Sequence, residues 1–125
     1  MERNTIQRRA IHKVIEDAGR PVGPPEIFEL AREHAPGLGI ATVYRCINRL
    51  LDEGRIISVD LPGEAPRYEM AGKEHHHHFR CNGCNKVYDL LTCADQYAGL
   101  APKGFRLESH EVYLFGKCEA CVAIA

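Results

Sequence analysis

The sequence predicts an α+β chain in two parts: an N-terminal winged helix-turn-helix domain over residues 1–70 and a small α/β domain over residues 75–125, joined by a hinge at 71–74. Three observations predict it. Apolar residues recur at helical spacing in three short segments that end at Gly54. The period then changes to alternation around Pro62-Gly63-Glu64-Ala65-Pro66. Two Cys-x-x-Cys pairs follow, Cys81/Cys84 and Cys118/Cys121.

In chain order, Ile6, Ala10, Ile11, Val14 and Ile15 mark a helix from Thr5 to about Ala18, stopped by Gly19 and Pro21. Pro24-Pro25-Glu26 opens a second helix, whose stripe of Ile27, Phe28, Leu30 and Ala31 runs to Ala35-Pro36-Gly37. A third spans Ile40 to Glu53, with Val43, Ile47, Leu50 and Leu51 on its apolar face and Gly54 as its stop. Arg55–Val59 and Arg67–Met70 then read as a β-hairpin, the wing. Beyond the hinge, strands are expected at Phe79, Val87-Tyr88 and Val112–Phe115, and a helix from about Ala94 to Leu100.

The 125 residues, 45% of them hydrophobic, suit a folded protein, with room for one ordinary domain or two small ones. No apolar run approaches the roughly 18 residues that cross a bilayer, and Met-Glu-Arg-Asn-Thr lacks the hydrophobic centre of a signal peptide. A cytoplasmic protein without a membrane partner is expected. In that compartment six cysteines, four of them in Cys-x-x-Cys pairs, point to metal ligation ahead of disulfides. The net charge of −1 does not advertise a nucleic-acid partner, but Arg3, Arg8, Arg9 and Lys13, and later Arg45, Arg49 and Arg55, can form a local basic face.

If the third helix packs through Val43, Ile47, Leu50 and Leu51, its other side carries Thr42, Tyr44, Arg45, Asn48 and Arg49. Arginine grips guanine edges or phosphates, and Thr or the Tyr ring contacts thymine methyls. Helix-turn-helix units also serve as plain protein modules, so the pattern alone leaves both DNA binding and a solvated helix face open.

Cys81, Cys84, Cys118 and Cys121 supply four thiolates from two tight turns, the donor set of a closed structural zinc site. Just before Cys81 stands His75-His76-His77-His78, which leads straight into the Cys-x-x-Cys and so is no expression tag. On a strand, His75 and His77 face one way, and His76 and His78 the other. One run can therefore feed two sites. Glu69 and Asp89 flank it, and His110 and Cys93 are the other unused ligand types. A set such as His76, His78, Glu69 and Asp89 suits Fe(II), Mn(II) or Zn(II), while Cys93 added to His75, His77 and His110 favours zinc. Sequence spacing does not decide these groupings.

Ala41-Thr42-Val43-Tyr44-Arg45, Arg67-Tyr68-Glu69, the histidine run before Cys81-x-x-Cys84, Gly104-Phe105 and Cys118-x-x-Cys121 together resemble the ferric uptake regulator family over nearly the whole chain. The resemblance implies a homodimeric, metal-dependent transcriptional repressor with a winged-helix DNA-binding domain and a C-terminal dimerisation domain. It implies that Tyr44 and Arg45 contact double-stranded DNA, and that Glu69, His76, His78 and Asp89 form a site near the hinge. His75, His77 and His110 correspond to a second, regulatory site. Two positions depart from the family pattern: Pro21 stands where many members place a further hinge-site histidine, and Gln96 where the second site often takes a glutamate. Cys93, one turn before Gln96, is expected to replace that carboxylate. The chain also begins close to its first helix, without the basic leading segment of many longer relatives, so fewer phosphate contacts are expected.

The expected mechanism is a metal-set hinge that orients two recognition helices on a pseudo-palindromic operator. Iron sensing, the family's commonest role, is expected first, with zinc uptake and peroxide stress as alternatives. From other classes, a zinc enzyme lacks His-Glu-x-x-His and an open zinc position, and a metal storage or delivery protein leaves Thr42-Val43-Tyr44-Arg45 without a purpose.

Overall fold

The structure is a computed structural model of the chain that describes residues 2–92 and 95–124. It divides into two compact units, Met1–Lys73 and Glu74–Ala125.

The first unit holds α1 (Glu2–Ala18), α2 (Pro24–Ala31), α3 (Ile40–Asp52), β1 (Ile56–Val59) and β2 (Arg67–Met70). The apolar stripes meet in one core, in which Ile11, Ile15, Val22, Ile27, Val43, Ile47 and Ile56 are essentially inaccessible to water. Gly54 ends α3 with a φ of +71°, a left-handed cap that costs a residue with a Cβ. The cap lets the Gly54 N–H donate to the Leu51 carbonyl and the Arg55 N–H to the Leu50 carbonyl, both at 3.0 Å. β1 and β2 pair antiparallel, from Ile56 opposite Met70 to Val59 opposite Arg67. Val22, between α1 and α2, adds a bridge to Tyr68 through bonds of 2.9 and 2.8 Å, tying the wing to the helices. α2 stops at Ala31, short of the expected Ala35. The residue before Pro36 is disfavoured in helical geometry, so the chain turns early, while Ala35 still packs into the core.

In the second unit, β3 (His77–Cys81) is central, antiparallel to β4 (Val87–Leu90) and parallel to β5 (Tyr113–Gly116). A 3₁₀ helix (Asp95–Leu100) lies in the crossover, and a short α4 (Glu119–Ile124) follows β5. Two expectations are corrected and one element is new. The 94–100 segment is 3₁₀ rather than α-helical, consistent with its shortness and with Gly99, and Ala94 lies outside the described residues. α4 was not anticipated, because six residues after a Cys-x-x-Cys carry too little periodicity to read. The histidine strand begins at His77, with His75 and His76 leading into it.

Apolar burial differs sharply between the units. In the second, the buried residues among those described are His77, Cys81 and Val87, whereas Leu91, Leu100, Phe105, Phe115 and Ile124 are more than half exposed. Ile47→Ala, which opens a cavity at a fully buried site, is expected to destabilise the first unit by about 2–5 kcal/mol. Amide hydrogen exchange would read this as faster exchange throughout α1–α3, with β3–β5 unchanged.

Candidate metal centres

Parallel pairing places Cys81, at the end of β3, opposite Gly116, so that Cys118 and Cys121, at the entry to α4, meet the turn carrying Cys81 and Cys84. All four sulfurs lie within 4.8 Å of one another. Two thiolates about 2.3 Å from a tetrahedral zinc stand about 3.8 Å apart. Cys84 Sγ and Cys118 Sγ are 3.9 Å apart. The residues therefore fit the ion. Cys81 Sγ accepts backbone N–H groups from Gly83 (3.3 Å), Cys84 (3.4 Å) and Cys118 (3.3 Å). Those donors, Cys118 first, hold its pKa down at about 5 against the opposing effect of burial. Cys118 is also lowered, chiefly by a backbone N–H bond from Cys121 and in part by the Tyr88 hydroxyl. Side-chain hydrogen bonds to Cys81 first and Cys118 next push the Cys121 thiol up to about 12. Gly83 is required by space: a Cβ there would lie 2.8 Å from Cys121 Sγ. Sequence reasoning missed both Gly83 and Tyr88, since neither is a ligand type.

The histidine rings sort by alternate residues. His76 and His78 have centroids 4.9 Å apart, and His75 and His77 4.5 Å. His78 pairs across the β3–β4 ladder with Asp89, whose Oδ1 lies 3.5 Å from the Nε2 atoms of both His76 and His78. Ligand atoms about 2.1 Å from a tetrahedral ion are about 3.4 Å apart. A carbonyl can only accept, so the 2.7 Å contact of His76 Nδ1 with the Glu74 carbonyl puts the proton on Nδ1. In the neutral ring, Nε2 then turns a lone pair toward the Asp89 carboxylate, an arrangement completed by a proton or a cation. This outer bond to a ligand histidine is what metal sites use to fix the ring. Glu69 belongs to the first unit, on β2 opposite Ile57, where its carboxylate accepts from Lys73 Nζ at 3.4 Å.

His75, His77 and His110 also bring their donor atoms within 4.8 Å of one another, with His75 Nε2 and His110 Nε2 at 3.2 Å. Here His77 Nδ1 accepts the Val112 N–H at 3.2 Å, which puts the neutral ring's proton on Nε2. Burial, and next the neighbouring His75 and His110, lower the His77 pKa. The Tyr97 ring, not anticipated, lies 4.8 Å from that of His110. Cys93, the expected fourth ligand, lies outside the described residues.

On α3, Tyr44, Arg45, Asn48 and Arg49 are exposed together, and Thr42 is half-buried with its hydroxyl accepting from Arg45 at 2.9 Å. Val43, Ile47 and Leu50 face the core.

A sequence profile of the ferric uptake regulator family matches residues 2–115. The chain belongs to this family. It is 31% identical to the ferric uptake regulation protein of Campylobacter jejuni, over 94% of this chain and 78% of that one. Its fold matches the Helicobacter pylori ferric uptake regulator, whose structure reveals three functional metal binding sites, with a TM-score of 0.70 and 29% identity over 93% of this chain and 79% of that one. A zinc-bound manganese uptake regulator matches with a TM-score of 0.77 and 27% identity over 90% of this chain and 87% of the other. The three helices with their wing, and the small sheet, each match the family's fold, and the chain is one of its regulators. No helix among the described residues is long and apolar enough to cross a membrane.

Zinc retention against a chelator is expected to fall more steeply below about pH 5, where the metal-free site also takes up a proton at Cys81. Gly83→Ala should move that loss to higher pH, and equal retention by the variant would contradict the close approach. A second expectation concerns His77 in the metal-free protein. Its pKa is lower folded than unfolded, so the associated stability is complete above the ordinary value of about 6.5 and is lost as pH falls through the folded pKa. Thermal melts from pH 8 to 5 should show that loss, and His77→Gln should reduce it.

Proposed function

We propose that this chain is a cytoplasmic, non-enzymatic, homodimeric repressor that binds a pseudo-palindromic DNA operator when a regulatory divalent metal, iron in the first instance, is present. Residues 1–70 act as the DNA-binding domain, 71–74 as a hinge and 75–125 as the dimerisation domain. The observation that carries the reading is the convergence of His76, His78 and Asp89 with the His76 lone pair turned into the cluster. Imidazole nitrogens with carboxylate oxygens suit Fe(II), Mn(II) or Zn(II). Family position supports Glu69 as a further ligand to this set.

When bound, the ion supplies bonds that hold its ligands together at the expense of other arrangements. The protein's residues do the rest. His76 is aimed by Glu74, His78 and Asp89 are fixed by the β3–β4 ladder, and Glu69 is kept neutralised by Lys73 until it is drawn away. Thr42, Tyr44, Arg45, Asn48 and Arg49 then meet base edges and phosphates. Cys81, Cys84, Cys118 and Cys121 hold structural zinc, and exposed apolar side chains such as Phe105 and Phe115 offer surface for a second copy.

A zinc-responsive reading has its own support: His75, His77 and His110 form an all-imidazole set among the described residues, with Cys93 proposed as its fourth ligand.

The test is a fluorescence-anisotropy titration of duplex DNA, selected from a random pool, with iron, manganese and zinc in turn. Chelation is expected to lower affinity about 5–150-fold, the usual range for linked sites. Equal binding with and without chelator would remove the metal-dependent reading. Lys73→Met, which removes the cation competing for Glu69, should lower the metal concentration at half-maximal binding.

A further inference from the structure

A concavity of about 370 Å³ in the first unit is left unused by the recognition helix and the metal centres. Its floor on α1 is a stripe one helical turn apart, Thr5, Arg8, Arg9 and His12, faced by Glu53 and Arg55 from beyond the end of α3. Three guanidiniums thus share the concavity with one carboxylate, and Glu53 is already engaged by Arg55 Nε at 3.6 Å. Arg8 and Arg9 pair with no carboxylate among the described residues, although Lys13, one turn further on, is neutralised by Asp17 at 3.2 Å. Two unneutralised arginines on one wall of a concavity repel each other, which a structural role does not require and an anion would relieve.

Position identifies the anion. The concavity sets Arg8 and Arg9 of α1 beside Leu50, Glu53 and Arg55 at the C-terminal end of α3, and Arg8 is near enough to Cys46 on α3 to pull its thiol down against the larger effect of burial. We propose that the Arg8–Arg9–His12–Arg55 concavity is a phosphodiester-binding pocket that grips the duplex backbone while α3 occupies the adjacent groove. The inference rests on the DNA-binding reading above. The guanidinium fork suits two phosphate oxygens, and Thr5 adds a neutral donor. Such a contact fixes the register of α3 and carries no base preference of its own.

The test measures the affinity of full-length, metal-loaded protein for its selected duplex and for a random duplex across a potassium chloride series. Each phosphate contact contributes about 0.9 to the slope of log affinity against log salt, so Arg8→Gln/Arg9→Gln should flatten the slope by roughly 1–2. Affinity should fall by a similar factor on both duplexes, and the base preference recovered by reselection should be unchanged. Arg8→Lys/Arg9→Lys, which keeps the charge, should restore most of the slope, and this separates phosphate binding from a folding defect. An unchanged slope in the Gln variant would overturn the pocket while leaving DNA binding by α3 intact. A wild-type protein that binds no duplex at any metal occupancy would instead overturn the DNA-binding reading. Saturable binding of inorganic pyrophosphate, lost in the Gln variant without any change in DNA slope, would overturn the duplex assignment in favour of a small-anion site.

Discussion

The convergence of four sulfurs at the end of β3 is the constraint on which the second unit depends. Its three-stranded sheet buries little: among the described residues, the most protected side chains are a valine, one of the four cysteines and a histidine. Apolar burial of that extent falls well short of the conformational entropy lost in ordering some fifty residues. Zinc ligation offsets the difference in small domains of this kind, because binding free energy there is folding free energy. The topology shows where the tie acts. β5 reaches β3 only through a long crossover, and Cys118 and Cys121 fasten the segment after β5 to the turn between β3 and β4, thereby locking the parallel pair in register. A register fixed at Cys81 also fixes His78 opposite Asp89.

The histidine clusters inherit that register but are prepared differently. His76 gives its Nδ1 proton to a carbonyl and keeps the Nε2 lone pair available, whereas His77, the next residue, accepts a backbone N–H at Nδ1 and holds its proton on Nε2. Adjacent residues are thus set in opposite tautomers by the backbone. Ligation through His76 Nε2 leaves the bond from Nδ1 to the Glu74 carbonyl in place. At His77 it displaces the Val112 N–H or removes the Nε2 proton, and both cost free energy. The Asp89 cluster is accordingly the better organised of the two for a cation, and the all-imidazole cluster engages a metal only by first giving something up.

Much of this was legible in the sequence, for identifiable reasons. Helical periodicity located α1 and α3 because their apolar faces pack into one core, and Gly54 marked the stop because only a left-handed cap continues into the wing. Alternation along the histidine run separated the rings by side, even though β3 begins only at His77. Features made by contact across the chain stayed hidden. Gly83 is needed because Cys121 arrives from nearly forty positions away, Tyr88 reaches Cys118 from a neighbouring strand, and the ring of Tyr97 meets His110 only after the crossover folds back. The early end of α2 and the 3₁₀ segment were misjudged because short elements are decided by their neighbours more than by their own propensities.

A formal charge of −1 and a nucleic-acid partner are compatible here because the ion pairs are unevenly distributed. Lys13 pairs with Asp17, Arg20 with Glu26, Arg32 with Glu29 and Arg67 with Glu64, so these cations are balanced locally and project little field. Arg8 and Arg9 on α1 and Arg45 and Arg49 on α3 form no ion pair with a carboxylate among the described residues. Over distances beyond the Debye length of about 8–10 Å, the balanced pairs cancel and screening removes the remainder. Within it, a duplex meets mainly the unpaired arginines. The field that matters for association is therefore set by which cations were left unpaired, a property of the fold that the net charge does not report.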